Sequence, residues 1–252
     1  MTTQFEFNGF PPQALQFLQE LKANNRREWF EAHRTTYQDQ LLKPAQEFVL
    51  ALGTRLQHTF PGVRFDPATN GSGTLMRIYR DTRFSADKTP YKSNISGMFW
   101  EGQGKKTEVP AFGFQLDPNG MRLMAGMFHF PKPMLLAYRQ AVADEELGPA
   151  LLAALAQIRQ AGNYALIGEQ YQRVPAEYDP EHPRRDLLRY KYLYVSMEDI
   201  PPQVATSLEL VDTCFRMAMA GWGALTCKEA LAVLPFTVWP LTMVETGPLV
   251  LL

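Results

Sequence analysis

Ala14, Phe17, Leu18 and Leu21 fall at i, i+3, i+4 and i+7, the spacing of one buried helix face, just behind the pair Pro11-Pro12. The pair Asn24-Asn25 breaks that period. Asn25 is then placed to cap a second helix, with Glu28 at the third helical position of a capping-box pattern. Its apolar face would carry Trp29, Phe30, His33 and Tyr37, with Arg26 and Arg27 on the solvated side. Pro44 suits the first turn of a third helix, whose stripe is Ala45, Phe48, Val49, Leu52 and Leu56. The first sixty residues therefore read as helical, with apolar faces that need a partner.

The period changes at Pro61. "FDPATNGSG" is loop chemistry, and apolar positions then recur every second residue. Strands are expected at Leu75 to Phe84, Asn94 to Trp100 and Ala111 to Asp117. In the first of these, Met76 and Ile78 would face one way and Arg77, Tyr79 and Asp81 the other. "DPNG", Asp117 to Gly120, carries the residues of a type I turn, so Met121 to His129 should return antiparallel. Helical spacing resumes through Leu135, Tyr138 and Val142, and again through Leu151, Leu152, Leu155 and Ile158. Short strands are expected at Tyr164 to Ile167 and Tyr190 to Val195, and a last helix from Pro201-Pro202 through Leu208, Val211 and Phe215. Helices before and after a run of hairpin-linked strands give an α+β fold: a mainly antiparallel sheet packed against N-terminal and C-terminal helices. No repeat or low-complexity linker divides the chain, so residues 1–216 read as one domain.

Composition narrows the function classes. The 252 residues carry a formal net charge of −1 with a pI near 6.4, which argues against a general nucleic-acid binder. Any anion binding must be local. Two cysteines, Cys214 and Cys227, cannot staple a fold of this size, so a reducing compartment is the default. The opening "MTTQFEFNGF" has neither a basic start nor a long apolar run, which favours the cytoplasm. Residues 217–252 form an apolar tail interrupted by Pro235, Pro240 and Pro248. It reads as an irregular segment packed on the core, with a membrane anchor and a segment foreign to the fold as the other readings. Its longest uncharged run, Ala230 to Val244, falls short of the roughly 18–20 residues of a span.

One stretch concentrates charge. "RIYRDTRFSADKTPYK", Arg77 to Lys92, holds five basic residues and two acidic ones. Arginine offers a planar fork of donors matched to phosphate or carboxylate. The functional reading is an anion site formed by Arg77, Arg80, Asp81, Arg83, Lys88, Tyr91 and Lys92. Its ligand would be a phosphorylated small molecule or a nucleic-acid end. The other reading is an Arg–carboxylate network with Asp66, Asp81, Asp87 or Glu101 that locks the loop, in a non-catalytic interaction module. The net basic excess favours the ligand site. Other signals are weaker. Tyr190, Tyr192 and Tyr194 could stack on bases, but such alternation reads first as a half-buried sheet face. Arg184, Arg185 and Lys191 read as an extension of the basic surface or as an ordinary solvated face. His33, His58, His129 and His182 lack metal-ligand spacing, so no metal is expected. "GSG" at Gly71 to Gly73 precedes a strand, the wrong order for a dinucleotide fingerprint, and no nucleophile motif is present. Cofactor, turnover and oligomeric state stay open.

The charged stretch also carries a resemblance. Its pattern R-x-x-R-D-x-R-F, five residues, then P-Y-K resembles the signature of a family of conserved bacterial and fungal proteins catalogued as a domain of unknown function. "NNRREWF" (Asn24 to Phe30) is similar to that family's N-terminal helix motif, and "HPRRDLLRYK" (His182 to Lys191) to a weaker third block. The resemblance runs from about Phe5 to about Arg216 and implies a shared fold and a shared site. It brings no activity.

Overall fold

The computed structural model describes residues 7–225, except 70, 162, 163, 169 and 198. The N-terminal apolar stripes become helices α1 (Pro12–Ala23), α2 (Arg27–Ala32), α3 (Arg34–Thr36) and α4 (Lys43–Thr59), with a π-helical segment, Tyr37–Leu42, leading into α4. Ala14, Phe17, Leu18 and Leu21 of α1 are buried, as are Ala45, Phe48, Val49, Leu52 and Leu56 of α4. The expected Asn25 cap does not form. The residue before α2 is Arg26, without a side-chain cap bond, and Asn25 is spent on a distant loop described below.

Among the described residues six strands make one sheet: β1 (Val63–Arg64), β2 (Ile95–Glu101), β3 (Ala111–Asp117), β4 (Gly120–Met127), β5 (Ala165–Ile167) and β6 (Leu193–Ser196). Their order is β1-β2-β3-β4-β6-β5, and every pair is antiparallel. The Asp117–Gly120 turn closes the β3–β4 hairpin as expected. Asp117 Oδ1 accepts from Asn119 N at 2.7 Å, and Gly120 takes a φ of +129°, a conformation open to glycine. Helices α5 (Lys132–Ala143) and α6 (Leu147–Ala161) follow β4. The described residues close with α7 (Arg185–Leu188), α8 (Pro202–Ala205) and α9 (Leu210–Leu225).

Register decides which side chains share a face. Phe99, Phe112, Ala125 and Val195 lie in one row across β2, β3, β4 and β6, and all are buried in the core. Leu52 and Leu56 of α4 and Cys214 and Ala218 of α9 meet that face at Phe99, Phe112, Phe114, Leu123 and Met197. The intervening positions face the other way. Trp100, Ala111, Gly126 and Tyr194 form one row there, and Met98, Gly113, Met124 and Ser196 the next.

Three further expectations are corrected. Leu75 to Phe84 is not a continuous strand. Leu75 bridges Gly97 on the edge of β2, then the chain leaves the sheet and Tyr79 bridges Tyr91 instead, because the segment folds back on its own continuation. The strand expected at Tyr190 begins at Leu193, and Tyr190 makes only a single bridge with Gln170. The last helix is two: the chain breaks at 206–209, where the Thr206 and Ser207 hydroxyls bond backbone carbonyls of α8, and Leu208 is left 69% exposed. Helix α9 continues through Arg216, where the sequence reading sets a domain boundary, to Leu225. The expectations for the tail from residue 226 and for Cys227 lie outside the described residues. Among the described residues no helix is long and apolar enough to cross a membrane.

Candidate functional site

The charged stretch is held by the other N-terminal motif. Asn25 donates from Nδ2 to the carbonyl of Tyr91 at 2.9 Å and accepts the Tyr91 N–H at 3.1 Å. Those are the two backbone groups of Tyr91 that its own hairpin leaves over, since Arg80 N bonds Pro90 O and Lys92 N bonds Ile78 O. The Tyr91 ring is buried and stacks on Phe30 of α2, with centroids 4.1 Å apart and planes at 18°. Phe30 also meets Tyr37 at 5.2 Å, and Tyr79 lies 5.4 Å from Tyr91. "NNRREWF" and "PYK" therefore form one aromatic packing unit.

Within that frame the seven sequence-selected residues divide. Arg80 bonds Asp87 and the Thr89 hydroxyl. Arg83 makes a two-pronged pair with Asp81, at 2.9 and 2.7 Å. Lys88 donates to the carbonyl of Thr82 at 2.9 Å. These three cations brace a loop whose tip, Phe84, is 94% exposed. Their carboxylate partners are strong acids for the same reason. The Arg83 hydrogen bonds hold Asp81 at about 2, and the Arg80 hydrogen bond, with the Thr89 N–H, holds Asp87 at about 2. Tyr91 is packing. Arg77 is exposed and its Nε lies against Gly71.

Lys92 is different. Its ammonium is half-buried, its pKa is lowered by lost hydration, and among the described residues no hydrogen bond or ion pair reaches it. Close to it is a residue the sequence reading did not select, Lys106, from the loop between β2 and β3. Burial lowers the Lys106 pKa most, Asp66 opposes that shift, and the like charge of Lys92 adds to it. Lys106 Nζ donates to the carbonyl of Gly71 at 3.2 Å and to that of Gly73. The "GSG" turn is thus a seat for an ammonium. A Cβ at Gly73 would lie 2.5 Å from the Ala68 carbonyl, so the turn closes only with glycine there. Lys106 sits fourteen residues beyond the charged stretch in an unremarkable "GKKTE", and nothing local to the sequence marks it.

The third motif serves the fold. Arg184 caps the C-terminus of α5, donating to the carbonyls of Val142, Ala143 and Asp144 at 2.5, 3.1 and 2.8 Å. Arg185 pairs with Glu181 at 2.9 Å. Tyr138 and Arg139 of α5 bond the carbonyls of Leu187 and Leu188 in return. Among the described residues no group of His, Cys, Asp and Glu could hold a metal ion.

A family model described as a conserved hypothetical protein, DUF2461, matches residues 13–221. No curated protein matches the chain. All three quoted motifs lie inside the matched span, which covers more than half of the sequence. The chain belongs to the DUF2461 family of conserved hypothetical proteins.

Proposed function

We propose that the protein binds a phosphate-bearing anion at the edge of β2, between Lys92, Lys106 and Arg77. The observation that carries this reading is the pair of half-buried ammonium groups, Lys92 and Lys106, close enough for one to lower the pKa of the other. Two like charges sharing a partly desolvated site are unfavourable unless an anion joins them. Asp66 offsets one of them in part. The Gly71 and Gly73 carbonyls accept from Lys106 but carry no net charge, so a positive excess remains for an anion. Arg80, Arg83 and Lys88 act here as braces that hold Lys92 in position rather than as ligand groups.

The test is thermal melting against inorganic phosphate, nucleotides and sugar phosphates. A ligand at a hundred times its dissociation constant stabilises by about 2.7 kcal/mol, or roughly 5–10 °C for a chain of this size. Lys92→Ala should melt near the wild type in buffer and lose the shift; Lys106→Ala, which also releases the Gly71 and Gly73 carbonyls, should melt lower and lose it too. Retention of the shift by both variants would exclude the site.

A second reading has its own support. Three of the five cations in the stretch are bonded within the loop, which favours a structural network in a non-catalytic interaction module. On that reading Arg80→Ala lowers melting sharply, and no anion stabilises the wild type.

A further inference from the structure

The second face of the sheet is not part of the core. Among the described residues, Met98, Trp100, Met124, Phe128, Tyr192 and Tyr194 neither belong to the contiguous core nor pack against it. Met98 is covered by its neighbours, and the other five are half-buried. They are large, and three of them are ordered against one another. Phe128 stacks on Tyr194 at 4.8 Å and 20°, and Tyr194 lies parallel to Tyr192 at 6.1 Å and 6°. Gly113 leaves the room that the Phe128 ring occupies, since a Cβ there would lie 3.1 Å from its tip. Trp100 stands in the same row as Tyr194, three strands away.

Two features say what the face is for. The first is size. Three strand spacings of about 4.8 Å and seven residues of about 3.4 Å give a patch of roughly 14 by 24 Å. That is on the order of 340 Å², well short of the ~800 Å² per partner of a stable protein interface. The second is charge. The Lys106 ammonium is seated on Gly73, one residue before Thr74, whose carbonyl accepts the Met98 N–H at 3.0 Å. The cation pair therefore lies on the β2 border of the face. Arg122 of β4, inside the face, is paired with Asp199 at 2.7 Å, and Lys191, next to Tyr192 at the β6 border, lies over the Tyr171 ring at 4.8 Å.

We propose that this face is a stacking surface for the bases of a single-stranded nucleic-acid end, whose terminal phosphate lies against Lys92 and Lys106. The proposal rests on the anion site argued above and adds its ligand class. Aromatic side chains on an open sheet accept any base through its π-face, and a few cations at one border suffice for a short end. A chain of net charge −1 has no general affinity for duplex, which is consistent with recognition of an end.

The experiment is fluorescence anisotropy of a labelled 5′-phosphorylated hexathymidylate. An abasic hexamer with the same phosphates and inorganic phosphate (followed by melting) run beside it. The hexamer should bind, the abasic strand at least tenfold more weakly. Trp100→Ala and Tyr194→Ala should each weaken the hexamer by roughly tenfold to a hundredfold, and Trp100→Phe should restore most of the loss. Equal binding of the hexamer and the abasic strand, or unchanged binding by both alanine variants, would overturn the proposal. A melting shift with inorganic phosphate would then leave the anion site standing. No response to any probe removes both. A dimer in sedimentation that Trp100→Ala dissociates would make the face a self-association surface and also overturn the proposal.

Discussion

Replacing Asn25 with alanine should be among the most damaging substitutions of a partly exposed side chain in the protein. Asn25 makes the bonds that satisfy Tyr91 N–H and C=O, at 3.1 and 2.9 Å, across 66 residues of chain. Tyr91 is buried, and its hairpin partners are already committed to Pro90 and Lys92. Truncation leaves two backbone groups to find water at a poorly accessible place. Each such group costs about 1–3 kcal/mol, and partial hydration brings the pair to roughly 2–4 kcal/mol. For a chain of this length that corresponds to about 4–16 °C in melting temperature. The assay is thermal unfolding followed by circular dichroism. Asn24→Ala is the control, because among the described residues the Asn24 side chain bonds only the Glu20 carbonyl at the end of its own helix. Asn25→Asp keeps the acceptor and loses the donor, so it should fall between alanine and wild type. Equal melting of Asn25→Ala and Asn24→Ala would refute the idea that Asn25 joins the two motifs.

Two further predictions concern pH. Glu101 has a buried Oε2 with no partner among the described residues, and burial raises its pKa from 4.5 to about 7. The folded state therefore holds a proton that the unfolded chain releases, so stability falls as pH rises from about 4.5 through about 7. Glu101→Gln should flatten that dependence and melt above the wild type at pH 8; parallel pH profiles for the two proteins would contradict this. Asp87, held at about 2 by Arg80, gives the opposite sign. Its pairing is present above its ordinary value of 3.8 and is lost as pH falls through about 2. Proteolytic nicking of the loop around Phe84 by an acid protease should rise as pH drops from 4 to 2. In Asp87→Asn it should already be high at pH 4, and a variant as resistant as wild type there would count against the brace.

Much of the fold was legible because it follows from local period. The stripes of α1 and α4, the alternation of β3 and the Asp-Pro-Asn-Gly turn are short-range patterns, and burial of one face leaves each a single register. Asn25 shows where that reasoning stops. A side chain suited to capping the next helix instead meets backbone groups 66 residues away, because a buried unpaired N–H and C=O outweigh one helix end. The early end of the Leu75 strand has the same origin, since Tyr79 pairs with Tyr91 instead of continuing along β2; the break between α8 and α9 is local, with the Thr206 and Ser207 hydroxyls bonding carbonyls four and three residues back.

The candidate site divides along the same line. The sequence by itself determined that cations concentrate between Arg77 and Lys92 and that the chain belongs to one family. Only the tertiary structure decided which cations are consumed. Arg80, Arg83 and Lys88 reach partners within nine residues, so their charge closes on the loop itself. Lys92 is brought beside Lys106 by strand pairing and by the seat at Gly71 and Gly73. The unclaimed sheet face likewise exists only once register has sent Phe99 inward and Trp100 outward. Charge and period are properties of neighbours along the chain, whereas desolvation and proximity are properties of neighbours in space.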